Sequence, residues 1–247
     1  MKKVRNILAL GLAFVLTVAG TVGVTIAWLQ DDDSATNTFT VGNVAIELVE
    51  NFEQNSKLLP STGSAQDGTL ENGITKEVTV KNVGSENAYI RVHIAIPTVL
   101  DNGTPEFNAG KNTLHFNYKP DSVGAGKWDW SKAYDDGKYE GDWNFYTTTI
   151  DNVGYNVYVV TYTSEVASQV EISDYAMHQV YLDSKVTNED LAGLDEKLGG
   201  TDSNKFDGKW DIEVVAEGVQ AAGFDNAYDA LNTAFGTPGS YDPFNQQ

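Results

Sequence analysis

Three histidines, no cysteines and several runs of carboxylates set the chemistry open to this 247-residue chain. A zinc protease places two histidines one helical turn apart with a glutamate beside the first, so that both imidazoles share a face and the base sits next to the metal-bound water. His93, His115 and His178 instead lie in three separate segments, and no HExxH occurs. The lack of cysteine removes thiolate metal sites, thiol nucleophiles and disulfide staples together. Neither a Gly-rich phosphate loop nor a GxSxG elbow is present. Carboxylates cluster at Asp31 to Asp33, at Asp135 with Asp136 and at Asp225 with Asp229. A structural cation such as calcium favours oxygen-rich loops of this kind, but none has EF-hand spacing and surface solvation is the default reading. No catalytic, cofactor or metal residues are assigned, and the expectation is a protein that is not an enzyme.

Two further patterns carry chemistry in other proteins. Leu59, Pro60, Ser61, Thr62 and Gly63 spell a sortase-type pentapeptide. No apolar stretch and basic tail follow it and much of the chain lies beyond, so it reads as a chance match in a loop. Trp128, Trp130, Tyr134, Tyr139, Trp143, Phe145 and Tyr146 concentrate aromatic rings in a Gly/Asp-rich stretch. Exposed rings of this kind bind sugars, but pairing across a hairpin and packing on a sheet is the preferred expectation.

The elements that would position these residues are mainly β, because most apolar runs alternate with polar residues at period two. Phe39 and Val41 share one phase while Val44, Ile46 and Leu48 share the other, which predicts a bulge or kink near Gly42. Further half-buried strands are marked by Val78 and Val80, by Ile90, Val92, Ile94 and Ile96, by Tyr155, Val157 and Val159, by Val180 and Leu182, and by Trp210, Ile212 and Val214. His93 falls opposite the Val92 and Ile94 phase, which leaves it facing solvent or paired. Strands this numerous suggest a jelly-roll type β-sandwich with short peripheral helices. One helix is expected from Thr187 to Leu198, and a second begins after Asn226, carries Phe224, Tyr228, Leu231 and Phe235 as its stripe, and closes at Gly236 and Pro238. Segments 50–75 and 100–154 read as surface insertions or long hairpins.

The N-terminus has the grammar of an export signal. Lys2, Lys3 and Arg5 precede an almost wholly apolar run from Ile7 to Ala19, and Thr25, Ile26 and Ala27 offer small residues for cleavage. Cleavage is placed between Ala27 and Trp28, which gives a signal peptide at 1–27, an N-terminal segment at 28–38 and the β domain at 39–247, with insertions near 100–154. An uncut membrane anchor is the alternative for residues 7 to 29. Processing removes three of the 16 basic residues and none of the 35 acidic ones, leaving a formal charge of −22. Such a chain repels nucleic acid and anionic lipid, so no nucleic acid is expected as partner and membrane is met only by the precursor.

Three stretches carry a family resemblance: GTVGVTIAWLQDDDSATNTFTVGNVAIEL at the signal junction, TKEVTVKNVGSENAYIRVHI, and WDIEVVAEGVQAAGFDNAYDALNTAFG. With these the chain resembles the TasA and camelysin family of Gram-positive exported proteins, whose signals are removed by a SipW-type signal peptidase. The resemblance implies a secreted structural subunit of a biofilm matrix fibre, in the extracellular matrix or on the cell surface. Its partners would be further copies of itself as a homopolymer, with an accessory matrix protein or polysaccharide beside it. Residues 28–38 would act as a donor strand, with Trp28 and Leu29 as anchors, Asp31, Asp32 and Asp33 needing solvent, a basic partner or a cation, and Ala35 within the strand. The segment is long enough, at about 36 Å fully extended, to cross a sandwich edge. Two alternatives stand beside this: a camelysin-type cell-surface metalloendopeptidase, and a monomeric adhesin or glycan-binding domain using the 128–146 aromatics.

Overall fold

Alternating β-branched residues favour strands whose two faces differ, and among the described residues this chain builds two sheets from them, antiparallel in all but one pairing, with one short α-helix. The computed structural model describes residues 30–31, 37–38, 44–52, 59–61, 71–101, 113–116, 127–130, 145–187 and 211–245. The first described elements are two short strands, β1 (Gln30–Asp31) and β2 (Asn37–Thr38), followed by β3 (Ile46–Phe52), β4 (Ile74–Asn82) and β5 (Ala88–Pro97). The middle supplies β6 (Leu114–Phe116), β7 (Trp128–Asp129), β8 (Phe145–Ile150), the long β9 (Val153–Val166) and β10 (Met177–Leu182). Strand β11 (Glu213–Gln220), helix α1 (Ala227–Phe235) and a 3-10 turn (Pro243–Asn245) complete the order among the described residues.

One sheet runs β1-β2-β11-β5-β9-β7, with β8 also on β9, and the other runs β3-β4-β10-β6. Between them lies the main core. Val44, Ile46, Val78 and Val80 meet Ile90, Val92, Ile94 and Ile96 there, together with Met177, Val180 and Leu182. The phases expected for β3, β4, β5 and β10 are therefore the ones that face inward. β11 passes so close to β3 that a Cβ on Gly218 would lie 2.8 Å from Ile46 Cγ2, a distance only glycine avoids. The link from β4 to β5 is pinned by the fully buried Asn82, whose side-chain amide donates to Glu86 O at 2.7 Å and to Val166 O at 2.9 Å.

Three expectations need correction. β5 is buried along its whole length, not half-buried, because its second face is covered too. The Tyr155, Val157 and Val159 phase does not enter the main core; Tyr158 and Val160 of the other phase do. The former three pack with Ala95, Tyr146 and Val153 on the outer face of the seven-stranded sheet, against Phe244. The 100–154 stretch, expected as surface insertions or long hairpins, is not surface alone and does hold one arm of a hairpin. Leu114, Phe116, Trp128 and Trp130 all join the main core, and β8 and β9 form a hairpin through Asp151 and Asn152, both at positive φ as a tight hairpin turn requires.

Trp128 and Trp130 are buried and donate their indole N–H groups to Asp174 O and Ala176 O, each at 3.1 Å, so these two rings follow the packing reading. Tyr134, Tyr139 and Trp143 lie outside the described residues, as do Phe39, Val41, Gly42, Trp210 and the stretch from 188 to 198 expected to be helical. The second helix forms as its signals require. Asn226 accepts from Asp229 N at its N-cap, and Gly236 at φ 83° closes it. Ala227, Ala230, Leu231 and Phe235 make its buried stripe on Tyr89 and Val219, while Tyr228 turns aside to donate its hydroxyl to Asp129.

Candidate functional site

The face of the seven-stranded sheet that looks away from the main core carries the most unusual chemistry. On β5 the residues alternating with the core isoleucines are Tyr89, Arg91, His93 and Ala95. In the antiparallel register Arg91 stands opposite Glu217 of β11, so the two side chains share this face. α1 and the C-terminal turn cover it, with one apolar cluster at Tyr89 and another at Ala95. Arg91, His93 and Glu217 lie between those clusters, and His93 and Glu217 are fully buried.

Glu217 is the hub. Its Oε2 accepts from Arg91 Nε at 2.5 Å and from His93 Nε2 at 3.0 Å. His93 Nδ1 then meets the Tyr146 hydroxyl at 3.2 Å, which fits a neutral ring protonated at Nε2 with Tyr146 donating. Arg91 Nη1 donates to Asn232 Oδ1 and Gly236 O, each at 3.1 Å, at the C-terminal end of α1. That helix has no basic residue in its own last turn, so Arg91 supplies from β5 the cation its dipole favours. The guanidinium also lies over the Phe235 ring, 5.6 Å from its centre. Two buried atoms, Arg91 Nη2 and Glu217 Oε1, have no hydrogen-bond partner among the described residues.

Burial pushes the His93 pKa below its ordinary value, against the pull of Glu217. Burial works the other way on Glu217, yet His93 and Arg91 together hold its carboxyl below the usual range. Because His93 is neutral near pH 7, Arg91 carries the positive charge that balances Glu217.

Both shifts have the same sign for stability. Below the ordinary histidine value of 6.5 the unfolded chain takes up a proton that folded His93 refuses, and below 4.5 the same holds for Glu217. Stability is therefore expected to be full above pH 6.5 and to fall on acidification by up to about 1.4 kcal/mol per pH unit for each such proton. Glu213, held above its ordinary value by burial and by Asp211 and Glu50, acts in the opposite direction and cannot cause this fall. Urea unfolding between pH 8 and 4 measures it. His93→Gln should flatten the slope between 6.5 and 4.5, and an unchanged slope would show that another group carries it.

The same Glu217 lies where β11 meets the short strand β2. β2 pairs with β11 in parallel, Thr38 opposite Glu217, and with β1 in antiparallel fashion through Gln30 with Thr38 and Asp31 with Asn37. Of the residues expected to form a donor strand, Asp31 is thus in β1, whereas Trp28, Leu29, Asp32, Asp33 and Ala35 lie outside the described residues, as does Ala27 of the expected cleavage point.

The three histidines each find their own carboxylate. His93 meets Glu217, His115 Nε2 lies 2.8 Å from Asp183 Oδ2, and His178 Nε2 lies 3.7 Å from Asp174 Oδ1. Among the described residues no three histidine or acidic side chains are grouped to hold a metal. Ser61 of the sortase-like pentapeptide is buried, and its N–H donates to Leu182 O at 3.0 Å. The Arg91, His93, Glu217 cluster was missed because Arg91 and His93 alternate with isoleucine and valine, the pattern of a solvated face. The signal that would have found it is the apolar stripe of α1, which needs a sheet face to cover. Comparison with protein-family models, with curated proteins and with solved structures gave no match.

Proposed function

We propose that this chain is a secreted structural subunit of an extracellular matrix fibre, with a jelly-roll domain that polymerises when the processed N-terminus of one copy is inserted as a strand into the next. One observation supports the reading most: residues 30–31 and 37–38 form strands at the end of the seven-stranded sheet, with Thr38 beside Glu217. A backbone able to add to a sheet edge satisfies its own N–H and C=O groups and those of the edge together. Each subunit gives one strand and receives one, a head-to-tail contact that propagates without closing. The signal-peptidase step of the SipW type would free the segment, and the Gram-positive cell surface would be the site of assembly. A matrix protein or polysaccharide would be an accessory partner.

The test is direct. The processed chain, residues 28–247, is concentrated, imaged by negative-stain electron microscopy and followed by size exclusion. Filaments of regular width are the expected result. A monomer at every concentration, with no filaments, would overturn the proposal.

A further inference from the structure

The chain after β11 covers the outer face of the seven-stranded sheet without joining it. Ala221 N still donates to Asn87 O at 2.9 Å, but from Phe224 to Asn245 no ladder pair to a strand is made among the described residues. Gly223 stands between the two, at φ 93° and with nothing within 4 Å of where a Cβ would lie, a conformation and an openness that suit a swivel. We propose that α1 and the turn after it form a lid over Arg91, His93 and Glu217, hinged at Gly223 and opened by acid. Opening breaks no ladder of the sheet, and it does not depend on assembly into a fibre.

Two apolar contacts and a few polar ones hold the lid shut. Ala227, Ala230, Leu231 and Phe235 rest on Tyr89 and Val219, and Phe244 rests on the cluster of Ala95, Tyr146 and Val157. Arg91 reaches Asn232 and Gly236, Tyr228 donates to Asp129, Thr148 donates to Asp242, and Asn245 Nδ2 donates to Thr148 Oγ1 at 2.7 Å. Against these, closure leaves Arg91 Nη2 and Glu217 Oε1 buried with no partner among the described residues, a penalty that water removes when the lid lifts. A segment held to the sheet through side chains, and carrying that penalty, opens before the ladders do.

Acid acts through His93. The charged and titratable groups that face it are Arg91 of its own strand, Glu217 of β11, the Tyr146 hydroxyl of β8, and Asp242 of the lid, with Tyr241 beside Tyr146. β9 sets only Val159 opposite it, and α1 has no basic residue in its last turn. Under the closed lid burial keeps the ring neutral, against the pull of Glu217 and Asp242. Lifting the lid admits water and returns the ring to its ordinary value of 6.5, so below that pH each opening takes up a proton and the open fraction rises by up to about tenfold per pH unit. Above 6.5 no proton is taken up there and the lid stays shut. Burial notwithstanding, His93 and Arg91 hold Glu217 below its ordinary 4.5, so it adds to the effect at lower pH. The open lid bares Tyr89, Val219 and the Ala95 cluster, an apolar face that is covered at neutral pH.

Hydrogen exchange read by mass spectrometry on the chain from residue 28, between pH 7.5 and 4.5 and corrected for the intrinsic rate at each pH, compares residues 227–236 with β4 at 74–82. At pH 7.5 the α1 amides are expected to be about a tenth as protected as those of β4 or less, and their opening constant to rise about tenfold between 6.5 and 5.5. Equal protection of the two at every pH would overturn the lid, since α1 would then open only with the whole domain. An α1 opening constant that ignores pH would overturn the trigger. His93→Gln keeps a donor for Glu217 but takes up no proton, so its α1 opening constant is expected to stay level from 6.5 to 5.5. The native dependence surviving in that variant would overturn the role of His93. The native series decides the lid and the trigger by itself, whether or not the variant folds.

Discussion

A chain lacking Trp28 to Thr38 is expected to fold and to form no fibres. The two halves of that result have separate physical grounds. Among the described residues β1 and β2 add one ladder pair to β11, and the loss of that pair should change unfolding free energy by no more than about 1 kcal/mol. Polymerisation, in contrast, would lose its donor altogether, and a mixture with full-length chains should shorten filaments, because a donorless copy can receive a strand but not pass one on. Electron microscopy of the deletion beside the processed chain, with urea unfolding as the fold check, measures both halves. Ordinary fibres from the deletion would remove strand donation as the mechanism. Loss of folding would instead show that the segment stabilises its own subunit far more than one ladder pair does.

Replacing Arg91 with methionine is expected to cost about 3–5 kcal/mol of unfolding free energy, a large fraction of the stability of an ordinary domain. The reason is the charge left behind. Glu217 is fully buried, and His93 beside it is held neutral, so without Arg91 its carboxylate has no cation and must be buried unpaired or protonated. The same change removes the donors to Asn232 and Gly236 at the end of α1. Arg91→Met combined with Glu217→Leu should recover much of the loss, since the apolar clusters on either side can extend across the gap. Urea denaturation of the two single variants and the double one gives the coupling directly. A cost below about 1 kcal/mol for Arg91→Met would mean that water reaches the carboxylate.

Much of the sheet pattern was legible in advance because a strand's side chains alternate and one face of a sheet meets a core. Ile90, Val92, Ile94 and Ile96 announce β5, Val78 and Val80 announce β4, and Asn226 with Gly236 brackets α1. Those signals are local, each resting on a few neighbouring residues. They cannot say what lies across the other face. Thus the pattern left His93 either facing solvent or paired, and marked a strand at Tyr155, Val157 and Val159 without saying what covers them; both sets lie beneath the C-terminal helix and turn.

By itself the sequence determined the strand and helix periods, the cap residues of α1, the lack of disulfides and the acidic charge, because composition and near-neighbour sterics suffice for each. Only the tertiary structure decided that β5 is covered on both sides, that Glu217 meets Arg91 from 126 residues away, and that Thr38 stands at the edge of β11. Those facts depend on which strands lie side by side, a choice made by the combined burial of distant apolar faces and invisible to any single stretch of chain.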